Sequence, residues 1–118
     1  MDSALLIACL CADWCTTCQA YGATFAEVAR AHPQARFVWI DIEEHSDALG
    51  DGALDIDNFP TLMLLRGTTP LFFGTLLPHA GTLARLVSAA QAGALAHTPA
   101  DPALALAVHA LAQQQPAR

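Results

Sequence analysis

The sequence predicts one α/β domain, a mixed β-sheet with helices on both faces. Three observations lead there. First, the 118 residues are 54% apolar and only 14% charged, against a usual charged share of about 25%. Disordered chains have the opposite balance, and a domain of this length buries roughly two thirds of its unfolded surface. Second, short apolar runs alternate with segments of helical period along most of the chain. Third, the early segments alternate as parallel crossovers do, whereas the last two strands are separated by a short turn and so pair antiparallel.

Each element has its own justification. Ala4–Leu10 is an unbroken apolar run that stops before turn-prone Asp13, which reads as a strand buried on both faces. From about Cys15 to Ala31, Tyr21, Phe25 and Val28 recur at helical spacing. His32-Pro33 ends that helix, since proline cannot continue it. Arg36–Ile42 is rich in Phe, Val, Trp and Ile and reads as a second strand. Asp41–Asp57 carries most of the acidic residues and reads as a solvated surface with a short helix near His45–Ala53. Thr61–Leu65 and Leu71–Thr75 are two strands, with Gly67-Thr68-Thr69-Pro70 as the hairpin turn. Phe72 and Phe73 then point to opposite faces. Pro78 to about Ala92 is an amphipathic helix closed by Gly93. Asp101-Pro102 opens a last helix, with an acid to cap it and a proline in its first turn. Residues 1–93 are thus expected to form the domain. Residues 94–118 add a linker and a helix carrying Leu104, Val108 and Leu111, packed on that domain or on a dimer partner.

Charge and hydropathy exclude some partners. The net charge is −6, and the chain has five basic side chains, all arginine. That offers no footprint for nucleic acid or for an anionic membrane. The longest apolar run, Ala4–Ala12, has nine residues, and a membrane-spanning helix needs about 20. Only Met1, Asp2 and Ser3 precede it, where a secretory leader carries basic residues. The expected compartment is therefore a reducing cytoplasm, where cysteines are more often catalytic or metal-binding than structural. The histidines at 32, 79, 97 and 109 are isolated in sequence and read as surface or capping residues.

Trp14-Cys15-Thr16-Thr17-Cys18 carries the chemistry. The motif follows a buried strand and opens a helix. Free backbone N–H groups and the helix dipole favour an anion at Cys15, and the thiolate is the nucleophile of disulfide exchange. Two intervening residues bring Cys18 within one turn. Cys15 attacks a substrate disulfide, and Cys18 resolves the mixed disulfide that results. The alternatives are a zinc half-site or a structural thiol pair, but no second ligand pair with finger spacing exists in the sequence. Cys9 and Cys11 lie two apart on a strand and share a face. They read first as small core residues, with a redox-tuning role as the alternative.

These segments resemble the thioredoxin family. Ala12-Asp13-Trp14-Cys15-x-x-Cys18 is similar to the family's active-site segment, and Ile56–Leu62, containing Phe59-Pro60-Thr61, is similar to its cis-proline segment. Gly67 and Gly74 fall at the family's hairpin and groove glycines. The resemblance spans about Leu5–Ala92. It implies a thioredoxin-like sheet that lacks the family's first strand and helix and gains a C-terminal helix. It implies a groove for an extended protein substrate shaped by Trp14, Thr16, Thr17, Phe59, Pro60 and Gly74, with the backbone of Phe59 hydrogen-bonding the substrate. It also places Cys9 where the family keeps a buried carboxylate, Trp39 at about its lysine partner, and Ala23 at the helix-kinking proline. If the face bearing Cys9 and Cys11 points at the active site, as the resemblance implies, four sulfurs gather there, and a metal or iron–sulfur site becomes a further alternative.

The expected function is thiol–disulfide exchange between a Cys15–Cys18 pair and protein disulfides. A reductase or other thiol donor serves as partner, and no cofactor or metal is needed, because the dithiol carries the electrons. The alternative is a binding or assembly module that keeps the fold and turns over weakly.

Overall fold

Seven consecutive apolar residues, Leu5–Cys11, form β1, and every one is buried. Such a strand must be covered on both faces, and the rest of the chain supplies the covers. The computed structural model of the chain describes residues 5–12, 14–50, 56, 60–77, 79–95 and 102–114. After β1 come α1 (Thr16–Ala31), β2 (Arg36–Asp41), α2 (Ser46–Leu49), β3 (Thr61–Arg66), β4 (Thr69–Thr75), α3 (Ala80–Gln91) and α4 (Pro102–Gln114). Among the described residues the sheet has four strands in the order β2-β1-β3-β4. β1 pairs parallel with β2 and antiparallel with β3, and β3 pairs antiparallel with β4. The fold is therefore a mixed α/β sheet.

Side-chain alternation divides the interior into two layers. Leu5, Ile7, Cys9 and Cys11 of β1 join Phe37, Leu62 and Leu64 under α1 and α3. Leu6, Ala8 and Leu10 face the other way, with Val38, Ile40, Met63 and Leu65, and α4 covers them with Leu104, Ala105, Val108, Leu111 and Ala112. Burial of each Leu or Val of α4 stabilises that placement by about 1.5–3 kcal/mol. Arg36 reaches from β2 to donate to the carbonyl of Ala112 at 2.6 Å. Arg66, at the end of β3, donates to the carbonyl of Ala90 in α3 at 3.0 Å. Both bonds go to carbonyls in a last helical turn, and that of Ala90 also accepts from the N–H of Gly93 at 3.1 Å. His32 ends α1, with its Nδ1 3.0 Å from the carbonyl of Val28. No helix among the described residues is long and apolar enough to cross a membrane.

The hairpin differs from the sequence reading. Arg66 pairs with Thr69, so Gly67 and Thr68 alone make the turn, and Pro70 belongs to β4. Gly67 has φ 64°, the sign that primed two-residue turns require at one or both central positions. A proline is tolerated in β4 because that strand is at the sheet edge, and the register slips between Leu64 and Leu65 beside it. Phe72 packs on the α1/α3 layer and Phe73 on the α4 layer, each half-buried. Among the described residues of the acidic segment, four are helical, Ser46–Leu49, and residues 51–53 of the expected helix lie outside the described residues. The segment is held by an Asx-type turn, in which the backbone N–H groups of Glu43 and Glu44 donate to Asp41 Oδ1 at 2.8 and 3.1 Å. His97 and most of the expected linker lie outside the described residues.

Candidate active site

The site is built where the C-terminal end of β1 runs into α1. A tight turn makes the junction: the N–H of Cys15 bonds the carbonyl of Ala12 at 3.0 Å, and the N–H of Gln19 bonds the carbonyl of Cys15 at 3.1 Å. Cys15 is thus the N-cap residue of α1 and uses no side-chain cap. Its thiol is not in a disulfide and is half-buried at the surface. Cys18, one turn further on, points inward and is 2% exposed.

The alternation of β1 and the helical turn of α1 bring all four sulfurs to one place. Cys9, Cys11 and Cys18 are members of the same buried cluster, and Cys15 packs against it. The bonding differs from the expected Cys15–Cys18 pair: the disulfide joins Cys11 to Cys18. The reason is directional. Cys18 begins the inward stripe that continues through Tyr21, Phe25, Val28 and Ala29, and Cys11 rises from the strand beneath it. Their Cα atoms are 5.9 Å apart, within the ordinary disulfide range of about 4.4–6.8 Å. Cys9 Sγ lies 3.5 Å from Cys11 Sγ. Among the described residues no group of three or more His, Cys, Asp or Glu side chains is placed to hold a metal ion.

The other expected site residues fall around this cluster at different distances. Trp14 is 63% exposed, and Thr16 and Thr17 are exposed on the first turn of α1. Pro60 is buried immediately before β3. Because Leu10 pairs with Thr61, Pro60 comes level with Cys11. Gly74 shares a cross-strand row with Trp39, Cys9 and Leu62, two strand spacings or about 10 Å from β1. Phe59 and Asp13 lie outside the described residues.

Sequence reasoning missed one participant. The sequence places Tyr21 only in the apolar stripe of α1. Its hydroxyl is buried and accepts or donates no hydrogen bond among the described residues. Burial, and after it the charge that Cys9 can carry, push its phenol above the ordinary value. The signal was present: Tyr21 follows Cys18 at i+3, so it stands on the same helix face. Tyr21 also lines an open depression of about 330 Å³ with Thr16, Thr17, Ala20 and Thr24. The rings of Tyr21, Phe25, Phe37 and Trp39 contact one another through Phe25, at centroid distances of 5.4–6.3 Å. Tyr21, Phe25 and Phe37 belong to the same buried cluster as Cys9, Cys11 and Cys18, and Trp39 packs against it.

Comparison with known proteins decides the family. The Thioredoxin family model matches residues 1–72, more than half of the chain. The chain belongs to the thioredoxin family. A comparison with curated proteins finds no match. Among solved structures, the chain is similar to a poplar thioredoxin h, with a TM-score of 0.65 and 22% identity over 75% of this chain and 78% of that one. A chloroplastic thioredoxin z gives 0.62 and 26%, over 77% and 81%. The germline-specific thioredoxin Deadhead of Drosophila melanogaster gives 0.62 and 20%, over 73% and 80%. Family membership supports thiol–disulfide oxidoreductase chemistry in general.

Proposed function

We propose that this thioredoxin-family chain exchanges disulfides with protein substrates, with Cys15 as the attacking thiol and Cys18 as the resolving thiol. One observation carries the reading. Cys15 is the surface thiol of the four, set at the start of a 16-residue helix with Cys18 one turn behind it. A thiol there is reachable, and a reachable thiol is what the attacking step of disulfide exchange needs. Exposed Trp14, Thr16 and Thr17, with Phe59, Pro60 and Gly74, form the substrate groove in this reading. A thiol donor or reductase returns the pair to the dithiol, and the setting is the cytoplasm.

Insulin reduction driven by dithiothreitol tests the proposal. Wild-type protein is expected to precipitate insulin B chain faster than dithiothreitol alone, and Cys15→Ser is expected to lose that acceleration. Brief iodoacetamide treatment of the reduced protein should label Cys15 first. Acceleration that survives Cys15→Ser, or first labelling at Cys9 or Cys11, overturns the assignment. A wild-type rate equal to that of dithiothreitol favours the binding-module alternative, for which the engagement of Cys18 with Cys11 is the supporting observation.

A further inference from the structure

Cys18 has two sulfur neighbours with which it can bond. Cys15 precedes it by three positions on the same helical turn, and Cys11 is bonded to it from the strand below. We propose that the oxidised site isomerises: the disulfide passes from Cys15–Cys18 to Cys11–Cys18, which stores it in the core and restores the surface thiol. This rests on the exchange reaction proposed above, which supplies the starting Cys15–Cys18 disulfide.

The step balances without any outside reagent. The thiolate of Cys11 attacks Cys18 Sγ. The Cys11–Cys18 bond forms, the Cys15–Cys18 bond breaks, and Cys15 leaves as a thiolate. The proton lost by Cys11 is matched by the proton that Cys15 gains. The protein holds one disulfide before and after, so nothing is oxidised or reduced overall. Thiolate attack on a disulfide sulfur is the ordinary route of such exchange. Geometry favours it here because Cys11 and Cys18 span an ordinary disulfide distance between their Cα atoms. Cys9 Sγ, 3.5 Å from Cys11 Sγ, is placed to share a proton with the attacking sulfur.

Two properties follow. The stored disulfide joins residues 1% and 2% exposed, so external thiols reach it more slowly than a surface disulfide. Cys15, meanwhile, is again a nucleophile, while its resolving partner is engaged. A second substrate disulfide attacked in this state stays covalently attached until Cys18 is released. The isomerised form therefore captures substrates rather than turning them over.

Disulfide mapping in time tests the step. Reduced protein is mixed with one equivalent of insulin, stopped with acid at intervals, and alkylated with N-ethylmaleimide. It is then cut by endoproteinase Asp-N before Asp13, which separates Cys9 and Cys11 from Cys15 and Cys18. A Cys15–Cys18 bond stays within one peptide, whereas a Cys11–Cys18 bond links two. The expected course is an early one-peptide form that gives way to the linked pair, with maleimide on Cys15 and fragmentation assigning Cys11. Cys11→Ala should hold the bond in the one-peptide form. Persistence of the one-peptide form in wild type overturns the inference and leaves the proposed function standing. A linked pair present from the first time point, with no one-peptide precursor, also overturns it. Insulin that is never reduced, with all four cysteines alkylated, overturns the proposed function and the inference with it.

Discussion

The guanidinium of Arg36, at the start of edge strand β2, donates to the carbonyl of Ala112 in the last turn of α4. That bond ties the C-terminal helix to the strand 76 positions earlier in the chain. The apolar face of α4 then closes the second layer of the core.

The first prediction follows from that closure. Leu104 is 1% exposed and packs on the layer containing Met63 and Leu65. Leu104→Ala should cost about 2–5 kcal/mol, the usual range for a large-to-small core change. Urea unfolding followed by circular dichroism reads it. Truncation after Gly93 should lower the melting temperature further or change the elution volume on gel filtration. A chain that melts and elutes unchanged after truncation would show that α4 contributes nothing to the core.

Tyr21 makes the second prediction, and it is a clean one because the chain has a single tyrosine. Its phenol is raised above the ordinary tyrosine value, by burial first and by Cys9 second. A raised folded-state value means that the neutral phenol favours the native state. That contribution is complete below the unfolded value, near pH 10, and is lost as pH climbs through the folded value. Ultraviolet titration of the native protein should therefore show tyrosinate only well above pH 10. The denatured protein should ionise near it. Coincident curves would place the ring in water.

Tyr21→Phe removes a buried hydroxyl that has no partner among the described residues. An unsatisfied buried polar group costs about 1–3 kcal/mol, so the change is expected to raise stability. Denaturant melts compare the two proteins, and a loss of stability would reveal a partner for the hydroxyl.

Gly67 supplies the fourth. Its φ of 64° lies in the left-handed region, where a side chain costs about 1–2 kcal/mol. Gly67→Ala should lower stability by that amount and leave the rate of Cys15 alkylation unchanged. A gain in stability would mean that the turn can adopt another type at no cost.

The hairpin also shows what the sequence could and could not tell. β1 was legible as an unbroken apolar run stopped by Asp13, and α1 and α3 by their helical period and the His32-Pro33 and Gly93 that end them. Pro70 carries a turn signal in the sequence, since local chemistry does not reveal that its strand lies at an edge. The sulfur pairing was illegible for a related reason. The spacing of Cys15 and Cys18 announces a pair within one helical turn. The approach of Cys11 to Cys18 depends on how α1 lies across β1, which no local pattern encodes. What the sequence did carry was the shared face of Cys9 and Cys11.

Cys9 underlies the last prediction. It is fully buried in the row formed with Trp39 and Leu62, at the position where the family keeps a carboxylate. General-base help at such a position is worth typically about 10²–10⁴-fold, and a thiol supplies it poorly. Resolution of a mixed disulfide by Cys18 should be slow near neutral pH and accelerate as the solution becomes alkaline. Cys9→Asp should flatten that profile and lower stability, because the apolar row offers the carboxylate no cation. Stopped-flow measurements of the wild type that are already fast and flat across pH would remove this role from Cys9.

The alternating faces of β1 also act as a partition. Among the described residues, every cysteine and every fully buried aromatic ring lies on the α1/α3 side, while the α4 side is aliphatic apart from Met63 and half-buried Phe73. Substitutions more than about 7–10 Å apart with no shared partner combine additively. The two layers can therefore diverge on separate evolutionary schedules. One is free to drift in volume and thermal tolerance, while the other is held by the geometry of its sulfurs.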